Sequence, residues 1–224
     1  MTKEEKLLWK KFADEKYRNK LPFLNAGNNT GIYEAQILQY LVGKFKEKLT
    51  ILVVGSAYGG EVEFIAKLLY GRCNVYGYDT FIGHPKDLAD DPTSLEATCM
   101  QVWYDAFGMK GIEYDYQRKL LDEQELFNAH LIKGRVNEHS FDDIKKAHFV
   151  MLDMDLIKPT RVAYHAIKDK IVKGGFLFFH DALPIDHLPL IHQFVYDEVL
   201  KDKRWNIVKE DNEANLTVLR RNNV

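Results

Sequence analysis

The chain has 224 residues, 46% hydrophobic and 29% charged, proportions of an ordinary globular protein that exclude disorder and low complexity. Its 31 Lys and Arg against 33 Asp and Glu leave a formal charge of -2, which argues against a nucleic-acid partner engaged through a broad basic surface. Two cysteines, Cys73 and Cys99, give neither a disulfide framework nor a C-x-x-C pair. The N-terminal stretch MTKEEKLLWKKFADEKY is charged throughout, and no apolar run approaches the roughly 20 residues of a membrane helix. The expectation is a cytoplasmic protein with no membrane partner.

Leu7, Leu8, Trp9, Phe12 and Tyr17 form a helical stripe, and Ile32, Ala35, Leu38, Leu41 and Phe45 form another over about 31–46. TILVVG (50–55) then reads as a strand buried on both faces, because its apolar run is continuous rather than alternating. A helix over 61–69 follows, then strands at 74–79, 130–134 and 148–153, a helix over 161–172, a strand at 175–180 and a helix over 190–200. RWNIVKE (204–210) and NLTVLR (215–220) read as a closing antiparallel pair. Repeated strand–helix units predict one α/β domain over 1–224 with a mostly parallel sheet. Residues 1–48 form N-terminal helices that could lid a site, with Tyr33 and Glu34 near the start of the second. The segment 85–129 is too long for a simple crossover and carries Trp103, Tyr104, Phe107, Tyr114 and Tyr116. It reads as an insert that either covers the active site or adds a packing layer. An apolar face on the N-terminal helices leaves a homo-oligomer open.

Ligands of open α/β sheets bind beyond the carboxyl ends of the strands. The first strand is followed by Gly55-Ser56-Ala57-Tyr58-Gly59-Gly60, a turn whose glycines permit close backbone approach to a ligand at a helix N-terminus. The second strand ends in Asp79, 24 residues after Gly55, followed by Thr80. An acid there can accept from ribose hydroxyls, or it can be a helix cap or a surface acid. The fourth and fifth strands end in Asp153-Met154-Asp155 and His180-Asp181. Neighbouring strands would converge Asp153, His180 and Asp181 on one divalent cation: magnesium or manganese by the carboxylates, with iron, cobalt, nickel or zinc admitted by the imidazole. Loop orientation, a buried histidine and a cap are the alternative roles of these three.

The ordered set GSAYGGE, YDTFIGHP, LIKG, LDMDLIKPT and GGFLFFHD, spanning roughly 50–182, resembles the class I S-adenosylmethionine-dependent methyltransferases. More narrowly, it is similar to the macrocin O-methyltransferase family, which methylates sugar hydroxyls. The resemblance implies a Rossmann-like sandwich with a mostly parallel seven-stranded sheet and an antiparallel C-terminal strand. It implies S-adenosylmethionine as cofactor, with Gly55 to Gly60 around its methionine part and Asp79 and Thr80 at its ribose. Asp153 matches the first metal carboxylate and also lies against the cofactor. His180 and Asp181 fall where the family has its metal-binding acid pair, so His180 is a departure. Val53 departs too, standing where the family carries an acid. Asp155 matches an acid that acts as general base, with Lys158 and His84 as alternatives. The expected activity is metal-assisted methyl transfer to a small-molecule hydroxyl. A metal-dependent hydroxylase-like enzyme and a non-catalytic adenosine-ligand protein on the same fold are the competing readings.

Overall fold

The computed structural model describes residues 30–57, 59–82, 113–183, 189–211 and 215–222. The elements in chain order are α1 (Thr30–Lys44), β1 (Leu49–Val54), α2 (Gly60–Leu68), β2 (Cys73–Asp79), α3 (Tyr114–Glu123), β3 (Ala129–Lys133), β4 (Ala147–Leu152), α4 (Ile157–Ile167), β5 (Ile171–His180), α5 (Pro189–Phe194), a π-helical turn (Val195–Val199), β6 (Trp205–Asp211) and β7 (Leu216–Arg221). The seven strands form one sheet in the order β3-β2-β1-β4-β5-β7-β6. β7 pairs antiparallel with both β5 and β6, while the pairs among β1 to β5 are parallel. β7 is therefore the single reversed strand, inserted between β5 and β6.

The strands read as continuous apolar runs because helices cover both faces. Alternate residues serve opposite layers. Ile51, Val53, Phe149, Met151, Phe178 and Val218 face Leu38 and Leu41 of α1, Val62 and Ile65 of α2, and Leu121 of α3. Leu52, Val54, Val150, Leu152, Leu177, Phe179 and Leu219 face Ala163, Tyr164 and Ile167 of α4 and Phe194 of α5. Each such fully buried side chain stabilises the fold by about 1.5–3 kcal/mol, so a one-residue slip of a central strand would exchange the two layers at great cost. The Cys73 thiol lies in the first layer, where burial pushes its pKa up to about 11, which leaves it inert as a thiolate. Among the described residues, no helix is long and apolar enough to cross a membrane.

Three elements depart from the sequence expectation by more than a residue or two, or in type. The helix predicted over 161–172 spans Ile157–Ile167, because Pro159 sits in its first turn, where a missing N–H costs nothing. Val172 belongs instead to β5, which starts at Ile171 rather than 175. Gly174 (φ 73) lets β5 bulge there, and the pairing shifts from Ala147↔Ile171 to Phe149↔Phe176. The helix predicted over 190–200 changes at Val195 to a π turn, closed by Leu200 N–H donating to the Val195 carbonyl at 2.9 Å. The helix predicted around Leu7–Tyr17 lies outside the described residues.

Candidate active site

β1 has β2 on one side and β4 on the other, so the order of strands reverses at the β1/β4 boundary. The crevice at the carboxyl ends of those strands is the standard ligand position of such sheets. The chain is tight there. Asp153 N–H donates to the Val54 carbonyl at 2.9 Å, and Gly55 N–H donates to the Tyr78 carbonyl at 2.8 Å. Gly55 has φ +89, and a Cβ on it would lie 2.6 Å from the Asp153 carbonyl carbon and closer still to its oxygen. Only glycine fits where the end of β1 crosses the end of β4. Gly59 (φ +71) starts α2, and a Cβ there would meet Gln117 Oε1 at 2.5 Å.

Asp79, at the end of β2, grips the loop in front of it. Its Oδ2 accepts from Ala57 N–H at 2.9 Å and its Oδ1 from Phe81 N–H at 2.8 Å. Thr80 Oγ1 is 3.4 Å from Asp79 Oδ1. From the opposite side, Gln117 of α3 donates to the Ala57 carbonyl at 2.6 Å. Ser56 is buried, and its hydroxyl has no hydrogen-bond partner. Tyr58 and His84 lie outside the described residues.

The expected convergence beyond β4 and β5 is present. Asp153, His180 and Asp181 each offer a ligand atom, all within 4.8 Å of one another. His180 Nδ1 lies 3.3 Å from Asp153 Oδ1 and 3.1 Å from Asp181 Oδ2. Burial alone would lower the imidazole pKa, but the Asp153, Asp181 and Glu61 carboxylates outweigh it and raise it to about 10. Burial holds the Asp153 carboxyl well above the usual range; the His180 charge opposes this, while Asp155, Asp181 and Glu61 add to it. Asp181 is raised first by burial, against the pull of His180 and with the push of Asp155. Asp155 is thus beside the cluster, at positive φ (57) on the β4–α4 loop. Lys158 is exposed on the first turn of α4.

Three contributors escaped the sequence reading. Asn215, just before β7, donates to Asp181 Oδ1 at 2.6 Å and accepts from Leu183 N–H at 3.2 Å. Only the insertion of β7 beside β5 brings it there. Glu61, in the first turn of α2, bears on both His180 and Asp153; its place directly after the Gly59-Gly60 pair was the available signal. Gln117 was hidden in the long segment after β2.

No protein-family model matches the chain, and no curated protein matches it by sequence. Solved structures do match. The O-methyltransferase NovP superposes with a TM-score of 0.66 at 16% identity, over 84% of this chain and 77% of NovP. The calicheamicin methyltransferase CalS11 gives 0.61 at 18%, over 97% of this chain and 91% of its own. An rRNA methylase from Streptococcus thermophilus gives 0.52 at 15%, over 85% and 95%. The fold is that of the class I methyltransferases. At these identities the likeness extends to the fold alone, and within this chain the Gly55 turn and the Asp153–His180–Asp181 cluster lie at the carboxyl ends of β1, β4 and β5.

Proposed function

We propose that this chain transfers the methyl group of S-adenosylmethionine to a hydroxyl of a small molecule, a sugar or natural-product intermediate, with a divalent cation held by Asp153, His180 and Asp181. The observation that carries the reading is the meeting, at one switch point, of a turn with no room for a Cβ at Gly55 and a three-residue ligand cluster on the next two strands. The buried, unpartnered Ser56 hydroxyl and the glycine cradle fit a bound cofactor. The cluster fits a cation, since two carboxylates and an imidazole each offer a ligand atom within 4.8 Å of the others, a donor set suited to a divalent ion. The sugar-hydroxyl acceptor draws support from CalS11, also described as a TDP-rhamnose 3'-O-methyltransferase.

S-adenosylmethionine supplies a methyl group on a positively charged sulfur, and the chain's task is alignment and proton removal. The Gly55–Gly60 turn lets the backbone approach the methionine part, and Asp79 accepts from the ribose hydroxyls. Asp155, beside the cluster, takes the acceptor's proton. When bound, a divalent cation supplies positive charge that eases loss of that proton. The test is transfer of a labelled methyl group to a panel of glycosides and phenols, with and without a chelator. Metal-dependent labelling of a hydroxyl is expected. Metal-dependent oxygen consumption without methyl transfer would replace this reading by the hydroxylase-like one.

A further inference from the structure

Glu34 has no part in the chemistry just described, yet it is a buried acid on α1, the helix that packs with β1 and α2 in one layer. It is 1% exposed, and both its carboxylate oxygens are buried without a hydrogen-bond partner among the described residues. An acid buried in this way is expensive, and native proteins seldom keep one without a reason. The charge that bears on it is another acid, Glu61 of α2. Burial first, and the Glu61 charge second, hold the Glu34 carboxyl well above its usual range. Glu61 is itself raised by burial, opposed by the His180 charge. Two carboxyls from two helices thus bear on each other, Glu61 directly following the Gly59-Gly60 pair, and the buried Ser56 hydroxyl on the same turn also has no hydrogen-bond partner among the described residues.

We propose that Glu34 and Glu61 form the receptor for the cationic α-amino-acid end of the cofactor, Glu34 accepting hydrogen bonds from its ammonium and Glu61 adding a second negative charge. This inference rests on the S-adenosylmethionine reading and names the part of the ligand that Glu34 holds. An ammonium is a pure donor with three N–H groups, and a carboxylate is a pure acceptor. One such ligand satisfies both Glu34 oxygens and relieves the repulsion between the two acids. Glu34 lies outside the Asp153–His180–Asp181 cluster, while Glu61 also bears on His180, so Glu34 is the direct partner of the ammonium and Glu61 the supporting charge between the two sites.

The test is calorimetry on the full chain with two probes, S-adenosylmethionine and 5′-methylthioadenosine, which keeps the adenosine and sulfur but lacks the amino acid. Glu34→Gln keeps the shape and removes the charge. It is expected to weaken S-adenosylmethionine by about ten- to a hundredfold, the range of a lost charged hydrogen bond, and to leave methylthioadenosine unchanged. Glu61→Gln should show the same selectivity with a smaller loss. Without ligand, both variants should melt at or above the wild-type temperature, because Glu34→Gln removes a buried acid and Glu61→Gln removes the charge that bears on it. Equal weakening of both probes, or unchanged S-adenosylmethionine affinity, overturns the assignment. A wild-type chain that binds methylthioadenosine as tightly as S-adenosylmethionine also overturns it while sparing the nucleoside site. A wild-type chain that binds neither removes the cofactor reading and this inference with it.

Discussion

Replacing Gly55 by alanine strikes the point where the ends of β1 and β4 touch. Two costs can be worked out from the geometry. A side chain at φ +89 is disfavoured by about 1–2 kcal/mol for an L-residue outside its allowed regions. The new Cβ would also overlap the Asp153 carbonyl oxygen, so the strand ends must part by roughly 1.5 Å or more to reach ordinary contact. That movement breaks the 2.9 Å bond from Asp153 N–H to the Val54 carbonyl, a further loss of about 0.5–1.5 kcal/mol. Gly55→Ala should therefore lose about 2–4 kcal/mol in urea unfolding, and S-adenosylmethionine binding should fall with it. Gly43→Ala is the control. No atom lies within 4 Å of the Cβ it would gain, and alanine is the better helix residue by about 0.5–1 kcal/mol, so this variant should be slightly more stable. A Gly55→Ala protein within about 1 kcal/mol of wild type would refute the close approach.

Three further outcomes are expected. Asn215→Ala removes a donor from Asp181 and an acceptor from Leu183 N–H, and manganese affinity measured by calorimetry should drop about ten- to a hundredfold; unchanged affinity would dissociate Asn215 from the cluster. Asp79→Ala releases the Ala57 and Phe81 amides, so it should lower both S-adenosylmethionine affinity and stability, the latter by about 1–3 kcal/mol; full affinity would reject the ribose role. Buried His148 accepts from Thr50 N–H at 3.0 Å, and burial lowers its pKa. The unfolded chain then takes up this proton near pH 6.5 before the folded one does. The stability it contributes is present above that pH and is lost as pH falls through 6.5 toward the lowered folded value. Wild type should lose stability relative to His148→Gln between pH 7.5 and 5.5, and a parallel pair of urea profiles would contradict this.

The parts of the molecule that were legible in the sequence are those where one local signal decides. TILVVG and HFVMLD are apolar without interruption because α1 and α2 cover one face of the sheet and α4 and α5 the other. Asp79, Asp153, His180 and Asp181 were visible because each closes or directly follows such a run, and parallel strands carry run ends to one edge. Boundaries failed where two signals conflicted. Pro159 marks a stop in most contexts but sits in the first turn of α4, and the Gly174-Gly175 pair suggested a strand start but is a bulge inside β5. Glu61, Gln117 and Asn215 were hidden for another reason. Each reaches the crevice from an element whose packing depends on the assembled sheet, and an acid in a helix usually faces water. The His180–Asp181 pair could be placed beside Asp153 from strand order alone, but the tight hold of Asp181 by Asn215 could not.

The most direct measurement is a calorimetric titration of the metal-stripped full chain with S-adenosylmethionine, repeated in the presence of magnesium, manganese and ferrous iron. Saturable one-to-one binding in the metal-free protein is expected, with a separate heat for a cation that disappears in Asp153→Ala while the cofactor affinity stays. No S-adenosylmethionine binding under any of these conditions would contradict the proposed activity and leave the Gly55–Gly60 turn as the site of a different ligand.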